Sequence, residues 1–201
     1  MSPSLDIEKM YWAQGCLHVA GVDEAGRGCL AGPVVAASVV LPPDLDLPSV
    51  RDSKQLSPER RESIALVIRR AAVAIGVGIC SPEEIDRLNI LWASMEAMRR
   101  ATADLAVTPD IVLIDGNHTI PDSPWPTRPI VKGDTLSQCI AAASIIAKTV
   151  RDRLMRDLDA RHPGYGWSHN AGYPTAEHYA ALERQGPTPH HRQSFKLARS
   201  L

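Results

Sequence analysis

The feature that most constrains this chain is the way its apolar segments end, with acidic residues close to glycine. The segment 17–24 is a short apolar run followed by two adjacent acids, and 111–116 is wholly apolar until it ends in Asp-Gly. A third, shorter run within 129–134 is followed by Lys-Gly-Asp. Short apolar runs bounded by turn residues predict buried strands. We therefore expect a sheet whose strand ends carry carboxylates.

The acids at these ends are Asp23, Glu24, Asp115 and Asp134. If their strands are neighbours, the carboxylates meet in one crevice at the edge of the sheet. Such a cluster repels itself, and a divalent cation relieves that repulsion. Two cations about 4 Å apart form the arrangement that cleaves phosphodiesters. Oxygen ligands with no histidine beside them favour Mg²⁺ or Mn²⁺ over Zn²⁺.

Each acid taken alone has a simpler explanation. Asp23 and Glu24 could form an exposed acidic turn, and Asp134 could cap the long helix that follows it. The four together favour a metal site.

Two other stretches contain candidate ligand contacts. Gly26-Arg27-Gly28 leaves backbone N–H groups open to a ligand, and its arginine can hold a phosphate. Ser53 and Lys54 could also grip a phosphate, although a plain surface loop explains them equally well.

The remaining pattern predicts an α/β fold. Further strands are expected at 33–41 and 73–79, and helices at about 57–70, from Ser81 onward, at 91–105 and at 135–160. The arrangement is a mixed five-stranded sheet flanked by helices, rather than an alternating doubly wound fold. We expect residues 1–160 to form this catalytic domain, with 161–201 as a small, mostly helical C-terminal lobe packed on it in a single globular unit.

Charge and cysteine content limit the partners and the location. The 201 residues carry a formal net charge of −1, so a nucleic acid would have to meet a local basic patch. The four cysteines show no pairing or zinc-type spacing, which indicates free thiols in a reducing compartment. The first ten residues lack the apolar core of a signal peptide, and no run reaches membrane-spanning length. We expect a cytoplasmic protein that does not enter the membrane.

The ordered motifs of the chain resemble those of bacterial ribonuclease HII, the type 2 ribonuclease H. The resemblance extends from Ala20 to Phe195, and seven motifs in order make it specific. They are Gly21-Val-Asp-Glu-Ala-Gly-Arg-Gly28, Asp52-Ser-Lys-Gln-Leu56, Ile114-Asp-Gly-Asn117, Lys132-Gly-Asp134, Ala142-Ala-Ser-Ile-Ile-Ala-Lys148, Gly172-Tyr-Pro-Thr175 and His190-His-Arg-Gln-Ser-Phe195.

The resemblance implies a ribonuclease H-like fold and an endonuclease that cuts the RNA strand of RNA–DNA hybrids. It also implies cutting at ribonucleotides embedded in duplex DNA, by divalent-metal hydrolysis that leaves 3′-hydroxyl and 5′-phosphate ends. We expect a monomer that uses Mn²⁺ or Mg²⁺, with two ions at catalysis. The implied roles are metal binding and catalysis for Asp23, Glu24, Asp115 and Asp134; sensing of the ribose 2′-hydroxyl for Gly26, Arg27 and Gly28; stacking on a sugar for Tyr173; and phosphate contacts for Ser53, Lys54, Ser144, Lys148 and Arg192.

Two positions depart from the family pattern. Cys29 stands where proline is usual, and Ala171 stands where a lysine often precedes Gly-Tyr, so one basic contact is missing.

Two rival functions remain open from the residues alone. One is a different metal nuclease of the same broad fold, which would not need the Gly-Arg-Gly loop; the other is a hybrid-binding module whose acids hold a structural ion.

Overall fold

A five-stranded mixed sheet forms the centre of the protein. The computed structural model describes residues 3–43, 45, 47, 50 and 56–198. The strands lie in the order β3-β2-β1-β4-β5, with β1 antiparallel to β2 and parallel to β4. Their bounds are β1 (Val19–Ala25), β2 (Val34–Val40), β3 (Ala74–Cys80), β4 (Ile111–Asp115) and β5 (Thr127–Ile130).

Helices cover both faces of this sheet. None of those described is long and apolar enough to cross a membrane. They are α1 (Asp6–Trp12), α2 (Pro58–Ala71), α3 (Pro82–Leu88), α4 (Ile90–Ala103), α5 (Gln138–Arg161), α6 (Trp167–Asn170) and α7 (Ala176–Gln185), with a 3₁₀ turn at Gly133–Thr135.

The first half of α5 lies directly on the sheet because the residues in contact are small. Gly21 faces the backbone of Cys139 and Ile140 so closely that a Cβ atom at this position would overlap them. The alanines at 141–143 are fully buried at the same interface. This close approach fixes α5, and therefore its later residues, against the end of β1.

The other face of the sheet packs on α4, which begins at a sharp break after α3. Asn89 has a φ of 67° and caps α4 by accepting bonds from the N–H groups of Leu91 and Trp92. Ser81 and Glu84 form a capping box at the start of α3. The two helices expected from Ser81 onward and at 91–105 are found as α3 and α4, and the sequence does not mark the break between them, because asparagine supplies a left-handed residue without a glycine signal.

The C-terminal segment packs its own small core against the end of α5. Tyr165 and Trp167 stack at 4.9 Å between ring centroids and contact Met155 and Leu158 of α5. The helices expected in this lobe are found as α6 and α7. The spacing of the long helix puts Arg151 off its apolar stripe, but the structure buries this residue completely.

Candidate active site

Asp23 and Asp115 lie side by side because β1 and β4 are adjacent and in register. Val22 pairs with Ile114, so the next residue on each strand is an aspartate. Side chains alternate along a strand, and Val19 and Gly21 both face α5, so Asp23 points to that face as well. The sequence left open whether the acid-bearing strands are neighbours, and the structure shows that β1 and β4 are.

Glu24 follows Asp23 on β1, so its side chain starts on the opposite face of the sheet. Its carboxylate nevertheless reaches the same cleft. β1 continues to Ala25, paired with β2, instead of ending at Val22 as the sequence suggested. Beyond Val22, β1 has no partner on the β4 side among the described residues. Both carboxylates can therefore turn into the gap that opens between the ends of β1 and β4. The resulting cleft has a volume of about 230 Å³. Its lining is Asp23, Glu24, Ala25, Gly26, Arg27, Gly28, Asp115, Ser144, Lys148 and Tyr173.

Burial and mutual repulsion make these carboxylates hard to ionise in the absence of a cation. Burial, then the charges of Glu24 and Asp115, raise the pKa of Asp23 well above its usual value, although a hydrogen bond from Ser144 opposes this. Burial also raises the pKa of Glu24, against the lowering effect of Arg27. Arg27 donates to the Glu24 carboxylate at 3.2 Å. The site therefore has the electrostatics of a cation-binding pocket.

Asp134 lies next to Asp115 in the turn after β5. The Asp115 carboxylate accepts the Gly133 N–H at 2.7 Å and the Asp134 N–H at 3.4 Å, which ties this turn to the end of β4. Asp134 is buried but is not among the residues that line the cleft. Within the described residues, no three His, Cys, Asp or Glu side chains are already arranged to hold one metal ion. Three of the predicted acids thus share the cleft and the fourth adjoins it.

Two fully buried arginines hold the Gly-Arg-Gly loop from behind. Arg192 donates to the carbonyls of Gly26 at 2.7 Å, Arg27 at 2.9 Å and Gly32 at 3.0 Å. Arg151 donates to the carbonyls of Pro33, Ala31 and Ala171 in the same region. With these carbonyls turned inward, the opposite side of the loop faces the cleft.

This placement does not fit the phosphate contact predicted for Arg192. Its side chain is fully buried and its N–H groups already bind loop carbonyls, so it supports the loop. Ser144 and Lys148 lie in the cleft, and their phosphate contacts stay a prediction. Ser53 and Lys54 lie outside the described residues, and their contacts stay a prediction.

Tyr173 stands at the mouth of the cleft and is 41% exposed. Lys148 Nζ lies 5.7 Å from the ring centroid, and the Tyr173 N–H donates to the Asn170 carbonyl at 2.9 Å. Burial, followed by the neighbouring Cys29, raises the pKa of the Tyr173 phenol. Cys29, one departure from the family pattern, is thus buried beside Tyr173. The other, Ala171, lines a second cleft next to Lys148.

A chain of neutral histidines fixes the backbone behind Tyr173. His178 Nδ1 lies 2.9 Å from the Tyr173 carbonyl, so this nitrogen carries the proton. His178 Nε2 then accepts from Trp167 Nε1 at 3.0 Å and from His191 Nε2 at 3.0 Å. His191 Nδ1 in turn accepts the Thr188 N–H at 2.9 Å. Every ring nitrogen has a defined role only while both rings are neutral.

We expect this network to make the fold sensitive to acid. Burial, and then His178, lower the pKa of His191 from 6.5 to about 4, and burial lowers the pKa of His178. As the pH falls from about 6.5 towards 4, the unfolded chain binds a proton that the folded chain resists, so stability is lost. His191 accounts for up to about 3 kcal/mol. The free energy of unfolding, measured with urea, should fall less between pH 7 and pH 4.5 for His191→Asn than for the unaltered protein. An equal fall would contradict this.

A larger cleft of about 510 Å³ lies on the other side of the sheet, between α4 and the loop after β4. Arg99 and Arg100 in this cleft form ion pairs with Glu96, and Arg100 also pairs with Glu84. None of the strand-end acids lines this cleft. The chemistry therefore points to the smaller cleft.

Comparison with known proteins agrees with this placement. The family model for ribonuclease HII matches residues 20–198. The ribonuclease HII of Salinibacter ruber is 55% identical over 198 residues, which cover 97% of this chain and 99% of that protein. Ribonuclease H2 from Pyrococcus horikoshii superposes with a TM-score of 0.75 at 28% identity, covering 90% of this chain and 95% of that one.

A more distant structure shares the fold alone. Bst ribonuclease HIII, solved in complex with Mn²⁺, has a TM-score of 0.71 at 21% identity and covers 90% of this chain and 68% of that one. The sheet order, the strand-end acids and the match along nearly the whole chain agree, and the chain belongs to the ribonuclease HII family of metal-dependent endoribonucleases.

Proposed function

We propose that Asp23, Glu24, Asp115 and Asp134 bind two divalent cations, Mg²⁺ or Mn²⁺, with which this enzyme cuts RNA–DNA hybrids and duplex DNA that contains ribonucleotides. The observation that carries the assignment is the position of Asp23 and Asp115, each directly after the last registered pair of β1 and β4, in a cleft that also contains Glu24 and the Gly-Arg-Gly loop. When bound, the ions activate water and stabilise the charge that develops on the phosphate.

The residues present fit such ions. The donor set consists of carboxylate oxygens, which suit hard cations at this charge. Burial, and after it repulsion from neighbouring carboxylates, raises the pKa values of Asp23 and Glu24, and a bound cation would favour the charged forms. Asp134 adjoins this donor set in the turn that the Asp115 carboxylate holds, and it would complete the ligands of the cations.

The remaining cleft residues position the substrate. Arg27 now donates to Glu24 and would hold a phosphate oxygen when that carboxylate binds a cation. Ser144 keeps Asp23 oriented through its hydrogen bond, and Lys148 offers a positive charge to the backbone. Tyr173 presents the exposed face of its ring to a deoxyribose beyond the cut.

The ribose is recognised at the Gly-Arg-Gly loop. A Cβ at Gly28 would meet no atom within 4 Å, so the fold itself does not require a glycine there. The open space instead suits close approach by a sugar, whose 2′-hydroxyl can bond the loop backbone. Recognition then depends on shape, sugar and phosphate, with little base readout.

The predicted organisation is part of the same proposal. Residues 1–160 form the catalytic domain, and 161–201 form a lobe that supports Tyr173. Action as a monomer belongs to the same proposal. The four described cysteines are free thiols, which suits the cytoplasm.

We expect EDTA to abolish cleavage of a duplex carrying one ribonucleotide, and added Mn²⁺ or Mg²⁺ to restore it. The reason is that the carboxylates alone cannot activate water. Gel mapping of the products checks this, with 3′-hydroxyl and 5′-phosphate ends as the expected outcome. Cleavage that persists in EDTA would contradict the metal mechanism. Equal cleavage of an all-DNA duplex would favour the rival nuclease without a ribose sensor.

A further inference from the structure

The catalytic cleft continues into a second cleft that contains further positive charges. Lys148 lines both of them. The second cleft has a volume of about 240 Å³ and lies between the start of α2, the middle of α5 and the short helix α6. The cations on this side, which we call the basic strip, are Arg61, Lys148, Arg153 and Arg156.

Carboxylates in the basic strip are each shared by two cations. Asp152 bonds both Arg61 at 2.9 Å and Lys148 at 2.7 Å. Glu62 bonds Arg156 at 2.7 Å and lies 3.9 Å from Arg153. At the outer end of the strip, two arginines therefore share Glu62.

The outer part of the basic strip is also accessible. The Arg153 and Arg156 side chains are 55% and 44% exposed, whereas Arg61 is 9% exposed and holds α2 on α5. Surface ion pairs such as Arg156–Glu62 contribute little to stability, so an arginine there exchanges its partner readily.

The spacing along α5 suits a nucleic-acid backbone. Lys148 and Arg156 are eight residues apart on one helix, which is about 12 Å at 1.5 Å per residue. A duplex advances 3.4 Å per base pair, so this distance corresponds to about three to four base pairs. A phosphate held at Lys148 by the catalytic cleft leaves others within reach of Arg153 and Arg156.

We propose that the basic strip binds the phosphate backbone of the duplex about three to four base pairs from the cleavage point, and that Glu62 competes with that backbone for Arg153 and Arg156. The inference rests on the proposed function, because it extends the same substrate beyond the catalytic cleft. The alternative is that these ion pairs only fasten α2 to α5.

Two substitutions separate these readings by the sign of their effects. Arg156→Gln removes one phosphate contact and should weaken binding of a ribonucleotide-containing duplex. Glu62→Gln frees two arginines and should tighten it. If the pairs were only structural, both substitutions would leave binding unchanged or weaken it.

Arg99→Gln is a matched control on the other face of the sheet. Arg99 is likewise 44% exposed and bonds a glutamate, Glu96, at 2.7 Å. We expect Arg99→Gln to bind the duplex with the same dissociation constant as the unaltered protein. This result would show that the loss of any one surface arginine is not sufficient to weaken binding.

The experiment measures dissociation constants by fluorescence anisotropy in EDTA, over a range of salt concentrations. For Arg156→Gln, the slope of log K against log salt should fall by about one. For Glu62→Gln, the slope should become steeper and the affinity should rise severalfold at low salt. Arg156→Gln binding like Arg99→Gln, or Glu62→Gln binding more weakly than the unaltered protein, would overturn the inference.

Mn²⁺-dependent cleavage by the unaltered protein is assayed in parallel. Its absence would count against the proposed function. Its presence, combined with unchanged binding by both variants, would remove only the basic strip from the account.

Discussion

Replacing Asp23 with asparagine is expected to abolish cleavage and to make the protein more stable at neutral pH. Asparagine keeps the shape and can still accept the Glu24 N–H, which Asp23 Oδ1 now accepts at 2.8 Å. It loses the negative charge that holds the cation. We expect cleavage to fall by at least about 10²–10³-fold, the cost of removing one group that stabilises the transition state. Binding of the hybrid should remain, because the phosphate contacts are untouched.

The gain in stability follows from the direction of the pKa shift. The pKa of Asp23 is raised in the folded protein, so folding opposes ionisation of this carboxyl. Stability therefore falls as the pH rises from the usual carboxyl range towards the raised value. An asparagine does not ionise, and Asp23→Asn escapes this loss. Each kcal/mol of relief raises the melting temperature by about 2–4 °C in a chain of this size.

Asp110→Asn is the matched control for this prediction. The Asp110 carboxylate accepts the N–H groups of Leu17 and His18 at 2.8 and 2.9 Å, and these bonds lower its pKa. The same substitution should lower the melting temperature here and leave cleavage unchanged. Differential scanning fluorimetry without metal gives the comparison. A less stable Asp23→Asn, or one that still cleaves at the normal rate, would contradict the assignment.

Metal addition provides a further readout of the same site. Mn²⁺ should raise the melting temperature of the unaltered protein, because a ligand that binds the folded state stabilises it. It should do so much less for Asp23→Asn.

The acid-bearing strands could be predicted from the sequence because their signals are local. An apolar run that ends in an acid close to glycine indicates the strand and, for β4, also the position of its end, whereas β1 continues to Ala25. What the pattern could not give was the strand order, which depends on a parallel pairing between residues about ninety positions apart. Only this order turns Asp23 and Asp115 into neighbours.

The roles of the buried arginines could not be predicted in the same way. Arg192 bonds the carbonyl of Gly26, 166 residues earlier, and Arg151 bonds that of Ala31, 120 residues earlier. The phosphate contact of Arg192 was implied only by the resemblance to ribonuclease HII, and nothing local in the sequence shows that its donors are already used. For Arg151, the sequence shows only that it lies three residues after Lys148 on the helix, and this position does not indicate a bond to a loop carbonyl.

The two glycines around Arg27 should respond in opposite ways to the same added methyl group. Gly26 has a φ of +100°, and a Cβ there would overlap the Arg151 side chain, so Gly26→Ala should destabilise the fold. Gly28 has no such constraint, and Gly28→Ala should fold as well as the unaltered protein or gain about 0.4–1 kcal/mol by restricting the unfolded chain.

The methyl group of Gly28→Ala nevertheless occupies the space that we assign to the ribose. We expect kcat/KM on a duplex with one ribonucleotide to fall about 10²-fold, because a displacement near 1 Å has this effect on a well-oriented reaction. The melting temperature should not fall with it. This combination separates a glycine kept for a ligand from one kept for the fold, since Gly26→Ala should lose activity and stability together. Full activity in a folded Gly28→Ala would show that the sugar does not approach the loop there, and the 2′-hydroxyl would then have to be read elsewhere in the cleft.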